Sequence, residues 1–105
     1  MYKRQTWYNA TKGAVNLMSK SMAVELAPHN IRVNCIAPVM GETALLEAFM
    51  GVMDTPENRA KFLATIPLGR LSTGADIARA CVYLCEEGSS FLTGVILPVD
   101  GGRTI

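Results

Sequence analysis

The chain has 105 residues, half of them hydrophobic, and a formal net charge of +1. This length suffices for one small domain, and the apolar content excludes intrinsic disorder. The near-neutral charge, with scattered basic residues, gives no indication of a nucleic-acid surface. No apolar run approaches the roughly 20 residues that cross a bilayer, and no hydrophobic segment follows Lys3 and Arg4 as in a secretory signal. We therefore expect a cytoplasmic protein without membrane association.

The first predicted helix begins with a tyrosine and a lysine four residues apart, Tyr8 and Lys12. A helix places both side chains on one side. A phenol has a reference pKa of about 10, and a nearby ammonium favours the phenolate and lowers that pKa. Such a pair can pass a proton to or from an alcohol or carbonyl oxygen. The same spacing also occurs in solvated helix starts with a snorkelling lysine, so these two residues do not decide the function.

This helix is predicted to run from Tyr8 to Leu26 or Ala27. Its apolar residues form two adjacent faces that together cover roughly 200° of the helix. One face holds Ala10, Ala14, Leu17 and Val24, and the other holds Val15, Met18, Met22 and Leu26. A helix that is apolar over this width should be covered on two sides. A sheet could supply one cover, and a neighbouring helix or a second subunit could supply the other.

Beyond this helix, turn residues divide the chain into short elements. Pro28 ends the helix, with Asn30 suited to a left-handed turn. A strand is predicted over 31–36 and ends at Ala37-Pro38, because proline cannot continue a central ladder. A helix is then predicted over 42–53.

The remaining elements have clear start signals. Thr55-Pro56-Glu57 is a helix start that combines a cap, an early proline and an acid, and this helix should reach about Ile66. Thr73-Gly74-Ala75-Asp76 resembles a capping box for a helix that continues through Cys85 and stops at 88–90. A final strand over 94–99 precedes a turn at 100–102. Two strands separated by helices indicate an α/β class with a parallel crossover, and so small a parallel sheet indicates part of a domain.

The three cysteines give no indication of a metal site. Cys81 and Cys85 lie on the last helix and Cys35 in the first strand, without a fourth ligand or CxxC spacing. We expect all three to be small buried apolar residues. The single histidine, His29, follows Pro28 at a helix end, where a structural role is expected.

The motifs occur in an order that resembles the C-terminal half of the short-chain dehydrogenase/reductase family, from about Trp7 to the end. They are Tyr8-x-x-x-Lys12 followed by Gly13-Ala14, Ile31-Arg32-Val33-Asn34, the loop Pro38 to Thr43, Ile66-Pro67-Leu68-Gly69-Arg70, Asp76-Ile77-Ala78, and Thr93-Gly94 leading to Val99-Asp100-Gly101-Gly102. The sequence is most similar in character to 3-oxoacyl-carrier-protein reductases and to sugar or polyol dehydrogenases. The resemblance implies the C-terminal part of a Rossmann-type doubly wound parallel sheet, with residues 1–105 as a partial NAD(P)-binding domain.

This resemblance implies hydride transfer between the nicotinamide of NAD or NADP and a carbonyl or secondary alcohol. Tyr8 would be the general acid/base, and Lys12 would lower the pKa of Tyr8 and bind the nicotinamide ribose. Backbone groups around Pro38 and Gly41, with the Thr43 hydroxyl, would face the nicotinamide end and the pyrophosphate. Alternatively, Pro38 only terminates a strand and Gly41 only forms a turn. The helices over 42–66 would form a mobile lid, and the full-length subunit would form a homotetramer or dimer.

The sequence departs from the family pattern in two respects. Val39 follows Pro38 where the family usually has glycine, and valine disfavours a positive φ. The family's glycine-rich phosphate turn and its catalytic serine belong to an N-terminal half without a counterpart in these residues. We interpret the start as a truncation or a misjoined gene end, so the isolated chain should show no turnover and be marginally stable. The alternative is a non-catalytic chain that acts as an interaction or oligomerisation module.

Overall fold

The computed structural model describes residues 5–39 and 41–105. These residues form four α-helices, α1 (Thr6–Leu26), α2 (Leu46–Met50), α3 (Pro56–Leu63) and α4 (Gly74–Cys85), and two strands, β1 (Cys35–Pro38) and β2 (Ile96–Val99). The strands are neighbours in a two-stranded parallel sheet, which confirms the α/β class. The chain divides into two compact units. One contains the chain up to Cys35 together with Glu86–Leu97, and the other contains Ile36–Cys85 and Pro98–Ile105.

Helix α1 ends as the sequence predicts. It begins at Thr6, two residues before the predicted start, and continues into a single 3-10 turn, Ala27–His29. Asn30 then adopts a left-handed conformation with φ of 58°, and its amide donates to the Ala27 carbonyl oxygen at 2.9 Å. The short polar side chain of asparagine tolerates this conformation, which terminates the helix.

The predicted bounds of the first strand, 31–36, are wrong, because the ladder begins only at Cys35. Side chains make the earlier contacts: the Asn34 side chain donates to the Leu92 carbonyl oxygen at 2.9 Å and accepts from the Val95 amide at 3.0 Å. The Val33 amide donates to the Thr93 hydroxyl at 3.1 Å. The Gly94 amide donates to the Val33 carbonyl oxygen at 2.7 Å, but side chains take the neighbouring partners. Residues 31–34 therefore run alongside 92–95 without forming a regular ladder.

The helix predicted over 42–53 is also wrong in its bounds, since α2 covers only Leu46–Met50. At its start, residues 42–45 form turns instead: the Thr43 amide donates to the Gly41 carbonyl oxygen at 2.9 Å, and the Leu46 amide donates to the Thr43 carbonyl oxygen at 3.0 Å. At its end, Gly51 has a φ of 71° and caps the helix through the Glu47 carbonyl oxygen. Glycine adopts this left-handed conformation at little cost, so the helix stops there.

The two predicted helix starts in the second half are confirmed. The Thr55 side chain accepts from the Asn58 amide at 3.2 Å and caps α3. At α4, the Asp76 amide donates to the Thr73 hydroxyl at 3.3 Å, while the Thr73 amide donates to the Asp76 carboxylate at 2.8 Å. This reciprocal pair is a capping box. Helix α3 ends at Leu63, three residues before the predicted Ile66, which lies in the turn that follows.

The apolar cluster of the second unit joins α2 to the turn before α4. Its buried members are Leu46, Met50, Ile66 and Leu71, with Phe62 and Leu63 packed against them. In α1, by contrast, Ala23 is the only buried residue. The cover predicted for both apolar faces of α1 is therefore not supplied within the part of the chain that the structure describes.

The cysteine prediction is corrected at two of three positions. Cys35 is half-buried in β1, but Cys81 and Cys85 are exposed on α4, and none of the three forms a disulfide. The buried side of α4 is centred on Leu84, with Ile77 half-buried, and both cysteines lie to one side of it. None of the helices described is long and apolar enough to cross a membrane.

Candidate proton-transfer pair and cofactor loop

Tyr8 and Lys12 lie one helical turn apart near the start of α1, as predicted. The Lys12 ammonium is 5.6 Å from the centroid of the Tyr8 ring, a distance at which a cation is attracted to the face of an aromatic ring. Tyr8 is 51% exposed, and Lys12 is also exposed. Within residues 5–39 and 41–105 neither side chain makes a hydrogen bond, so the phenol and the ammonium are both available to a ligand.

The loop after β1 begins with extended backbone. Pro38 is the exposed last residue of β1, and the Val39 amide donates to the Val99 carbonyl oxygen at 3.2 Å. Among the described residues, Asn30 is the only non-glycine residue with a positive φ. Valine at position 39 therefore imposes no left-handed strain on this loop. Met40 lies outside the described residues.

Gly41 is fixed by a close approach to Ser72. The two residues form an isolated parallel β-bridge, and the Ser72 hydroxyl donates to the Val39 carbonyl oxygen at 3.4 Å. A Cβ at position 41 would lie 3.0 Å from the Ser72 Oγ and 3.3 Å from its carbonyl oxygen. A larger residue at position 41 would therefore need Ser72 to shift by a few tenths of an ångström. Gly41 does not have a positive φ, so the constraint is steric and does not come from the backbone conformation.

Thr43 continues the loop with an exposed hydroxyl. Its amide donates to the Gly41 carbonyl oxygen at 2.9 Å, and its Oγ1 accepts from the Leu45 amide at 3.3 Å. The hydroxyl has one donor hydrogen and two lone pairs, so it can still donate to a ligand after accepting from Leu45.

The structure brings together the members of each predicted set within its own unit. Tyr8 and Lys12 share one face of α1, and Pro38, Gly41 and Thr43 follow one another along the loop after β1. Ser72 holds this loop but was missed in the sequence, because nothing local marks a residue 31 positions from Gly41 as its partner. In the described part of the chain, no group of three or more His, Cys, Asp or Glu side chains could hold a metal ion.

Parallel strands joined through helices place the chain in the α/β class of folds. The family model described as Enoyl-(Acyl carrier protein) reductase matches residues 1–104. The chain belongs to the short-chain dehydrogenase/reductase family, whose members are NAD(P)-dependent oxidoreductases of Rossmann fold. The predicted family and the cofactor class of that family are thereby confirmed.

Three known proteins show how far the similarity extends. A 4-formylbenzenesulfonate dehydrogenase from Comamonas testosteroni is 47% identical over 100 residues, which are 95% of this chain and 40% of that enzyme. The structure of a 3-ketoacyl-(acyl-carrier-protein) reductase from Brucella melitensis complexed with NADH is 49% identical with a TM-score of 0.83, over 94% of this chain and 37% of that one. A short chain dehydrogenase family protein from Francisella tularensis subsp. tularensis is 31% identical with a TM-score of 0.86, over 99% and 46% of the two chains. This chain thus spans about 40% of the length of its curated relatives.

Proposed function

We propose that this chain carries the proton-transfer part of an oxidoreductase that moves a hydride between NAD or NADP and a carbonyl or secondary alcohol. The observation that carries the proposal is the Tyr8–Lys12 pair, with an exposed phenol and an ammonium 5.6 Å from its ring on one face of α1. Family membership supports the reaction class.

In this proposal Tyr8 moves a proton at its hydroxyl oxygen. In the reducing direction the phenol donates to the oxygen of the carbonyl as negative charge develops there, and in the oxidising direction the phenolate accepts the alcohol proton. The Lys12 ammonium places a positive charge beside the ring that carries this oxygen. Bound nicotinamide would supply or accept the hydride. We propose that Tyr8 and Lys12 also bind the ribose hydroxyls of such a cofactor, because both polar groups are exposed and make no hydrogen bond within residues 5–39 and 41–105.

The loop after β1 fits the same cofactor by its donor chemistry. We propose that the backbone around Pro38 and Gly41 and the free O–H of Thr43 bind the nicotinamide end and the pyrophosphate. A hydroxyl donor and a loop at the carboxyl end of a parallel strand suit such a ligand. Ser72 would keep the loop in place through its bridge to Gly41.

The experiment should separate a role of Tyr8 from any general effect of losing a tyrosine. In a chimeric enzyme, which we name the spliced dehydrogenase, this chain would replace the segment of the Comamonas dehydrogenase to which it aligns. The rate of oxidation or reduction of that dehydrogenase's own substrate would be measured. We expect Tyr8→Phe to reduce kcat by about 10²- to 10⁴-fold, the usual contribution of general acid–base catalysis. The matched control is Tyr83→Phe, a half-exposed tyrosine on α4, which should retain activity. Equal activities of the two variants would refute the proposal.

The 105 residues by themselves should not turn over substrate. The proposed reaction also needs a phosphate site and a substrate-orienting serine, which the family resemblance assigns to sequence outside these residues. Alcohol oxidation with NAD or NADP by the purified 105-residue chain would contradict this expectation.

The exposed apolar side of α1 favours a second candidate, a non-catalytic interaction or oligomerisation module. Ala14, Leu17, Met18 and Met22 line a shallow groove on this helix, and Leu17 is 68% exposed. Size-exclusion chromatography, with and without a full-length relative, tests this association, and the Tyr8→Phe activity assay described above distinguishes the candidates. A module should form a stable complex that Tyr8→Phe leaves intact and Leu17→Glu disrupts. In an active enzyme the same helix would join subunits of a dimer or tetramer, because a wide apolar face needs cover.

A further inference from the structure

A single arginine joins the two ends of residues 42–54, which we name the strap. Arg59 lies on α3, and its Nη1 is 2.5 Å from the Glu42 Oε1 at the start of the strap. Its Nε and Nη2 donate to the two carboxylate oxygens of Asp54, at 3.0 and 2.8 Å, at the end of the strap. One arginine side chain therefore binds the residues at both ends of the strap.

The geometry of this contact is specific to arginine. A guanidinium presents donors in a rigid planar fork, so it can bind one carboxylate with two hydrogen bonds and still donate to another. The hydrogen bond to Asp54 raises the pKa of Arg59, and the same bond lowers the pKa of Asp54. The strap has a further internal tie, since the Glu47 Oε1 accepts from the Asp54 amide at 3.0 Å.

Glu42 links the strap to the candidate cofactor loop. It lies between Gly41 and Thr43, and its amide donates to the Ser72 carbonyl oxygen at 3.1 Å. Its side chain turns to Arg59. Ser72 thus holds the backbone of the loop, and Arg59 holds the Glu42 side chain within it.

We propose that Arg59 is a positioning residue whose ion pairs with Glu42 and Asp54, which we name the clasp, hold the two ends of the strap together. The clasp also holds the Gly41–Thr43 loop in place, and its ion pairs break when salt screens the charges. Only the assignment of this loop to the cofactor rests on the proposed function. The Arg59 side chain keeps 33% of its surface exposed and that of Glu42 keeps 54%, so both ends of this ion pair are accessible to salt. Raising the salt from about 0.1 M to about 1 M shortens the Debye length from roughly 10 Å to roughly 3 Å.

Hydrogen–deuterium exchange of the cofactor-free chain tests the clasp without reference to activity. We expect amides in residues 43–54 to exchange roughly two- to fivefold faster in Arg59→Gln, the size expected for an exposed ion pair. The matched control is Arg70→Gln. Arg70 also pairs with an aspartate through two hydrogen bonds, to Asp76 at 2.7 and 3.0 Å, but this pair lies at the start of α4. Arg70→Gln should leave exchange of the strap unchanged.

The salt response separates a clasp from a general loss of structure. In the wild-type chain, about 1 M NaCl should accelerate exchange of the strap, and Arg59→Gln should abolish this response. Arg59→Lys should restore only part of the protection, because an ammonium lacks the fork. Adding Glu42→Gln to Arg59→Gln should have little further effect, because the two residues act in one contact.

Several outcomes would overturn the inference. If the strap amides of the wild-type chain are not protected from exchange at low salt, or if salt does not change their exchange rate, no clasp forms. Equal strap exchange in Arg59→Gln and Arg70→Gln would do the same. If Arg59→Gln unfolds the whole chain, the salt response of the wild-type strap still decides. Failure here would leave the Tyr8–Lys12 proposal untouched, because no cofactor or substrate is present in the experiment.

Discussion

Helix α1 has 21 residues and buries only Ala23, whereas the second unit buries Leu46, Met50, Ile66 and Leu71 in one cluster. The two regions also hold their candidate residues differently. Tyr8 and Lys12 are placed by the period of a helix and remain exposed. The loop through Gly41 is placed by long-range hydrogen bonds to Ser72. We therefore expect substitutions in the second unit to change stability and substitutions of Tyr8 or Lys12 to change the chemical step.

The largest effect on stability is expected in the apolar cluster. Ile66 is 2% exposed, and Ile66→Ala should lower the free energy of unfolding by about 2–5 kcal/mol, because it removes apolar contacts and leaves a cavity. Leu68→Ala is the control, since Leu68 is 74% exposed and should change stability by less than about 0.5 kcal/mol. Urea unfolding followed by circular dichroism measures both. Equal losses would mean that the cluster does not stabilise the second unit.

Replacing glycine by alanine should change the free energy of unfolding in opposite directions in the two regions. Gly41→Ala should destabilise by about 1–3 kcal/mol, because its Cβ would meet Ser72 at 3.0 Å. Gly13 lies inside α1 with no atom within 4 Å of an added Cβ, so Gly13→Ala should stabilise the helix by about 0.5–1 kcal/mol. The same unfolding experiment compares them. A destabilising Gly13→Ala would show that α1 is more closely packed than the contrast assumes.

A smaller effect on stability is expected when the pH is lowered, through the carboxylate of Asp76. Hydrogen bonds from Arg70, and further ones from Thr73, hold the pKa of Asp76 well below its ordinary value of 3.8. Because the native pKa is depressed, this contribution to stability is fully present above about pH 4 and is lost as the pH falls through the native pKa. Asp76→Asn should therefore flatten the loss of stability below about pH 4. Urea midpoints measured against pH would refute this if wild type and variant gave parallel curves.

Local signals in the sequence predicted the end of α1 and the starts of α3 and α4, whereas distant contacts and unpredicted turns set the features that were missed. Thr55, and Thr73 with Asp76, were predicted as caps because a cap acts over three residues. The first strand was misplaced because Asn34 bonds Leu92 and Val95, about 60 residues away, in place of a ladder. The helix predicted over 42–53 was too long because residues 42–45 form turns and Gly51, with a φ of 71°, ends the helix. No periodicity in the sequence encodes such partners.

The candidate site divides in the same way. The common face of Tyr8 and Lys12 follows from helical spacing and was predicted, whereas their role in proton transfer stays a prediction. Gly41 was predicted as a cofactor or turn residue, but its physical constraint is the approach of Ser72. Glu42 and Arg59 were not singled out, because their ion pair joins residues 17 positions apart.

The rate of hydride transfer in two lysine variants tests the central claim most directly. In the spliced dehydrogenase with saturating cofactor, kcat for alcohol oxidation would be measured for Lys12→Met and for Lys20→Met, an exposed lysine further along α1. Lys12→Met removes the cation beside the Tyr8 ring, so kcat should fall by about 10²-fold, the scale of a lost acid–base contribution. Lys20→Met should leave kcat unchanged. Equal kcat values for the two variants would contradict the assignment of Tyr8 and Lys12 as a proton-transfer pair.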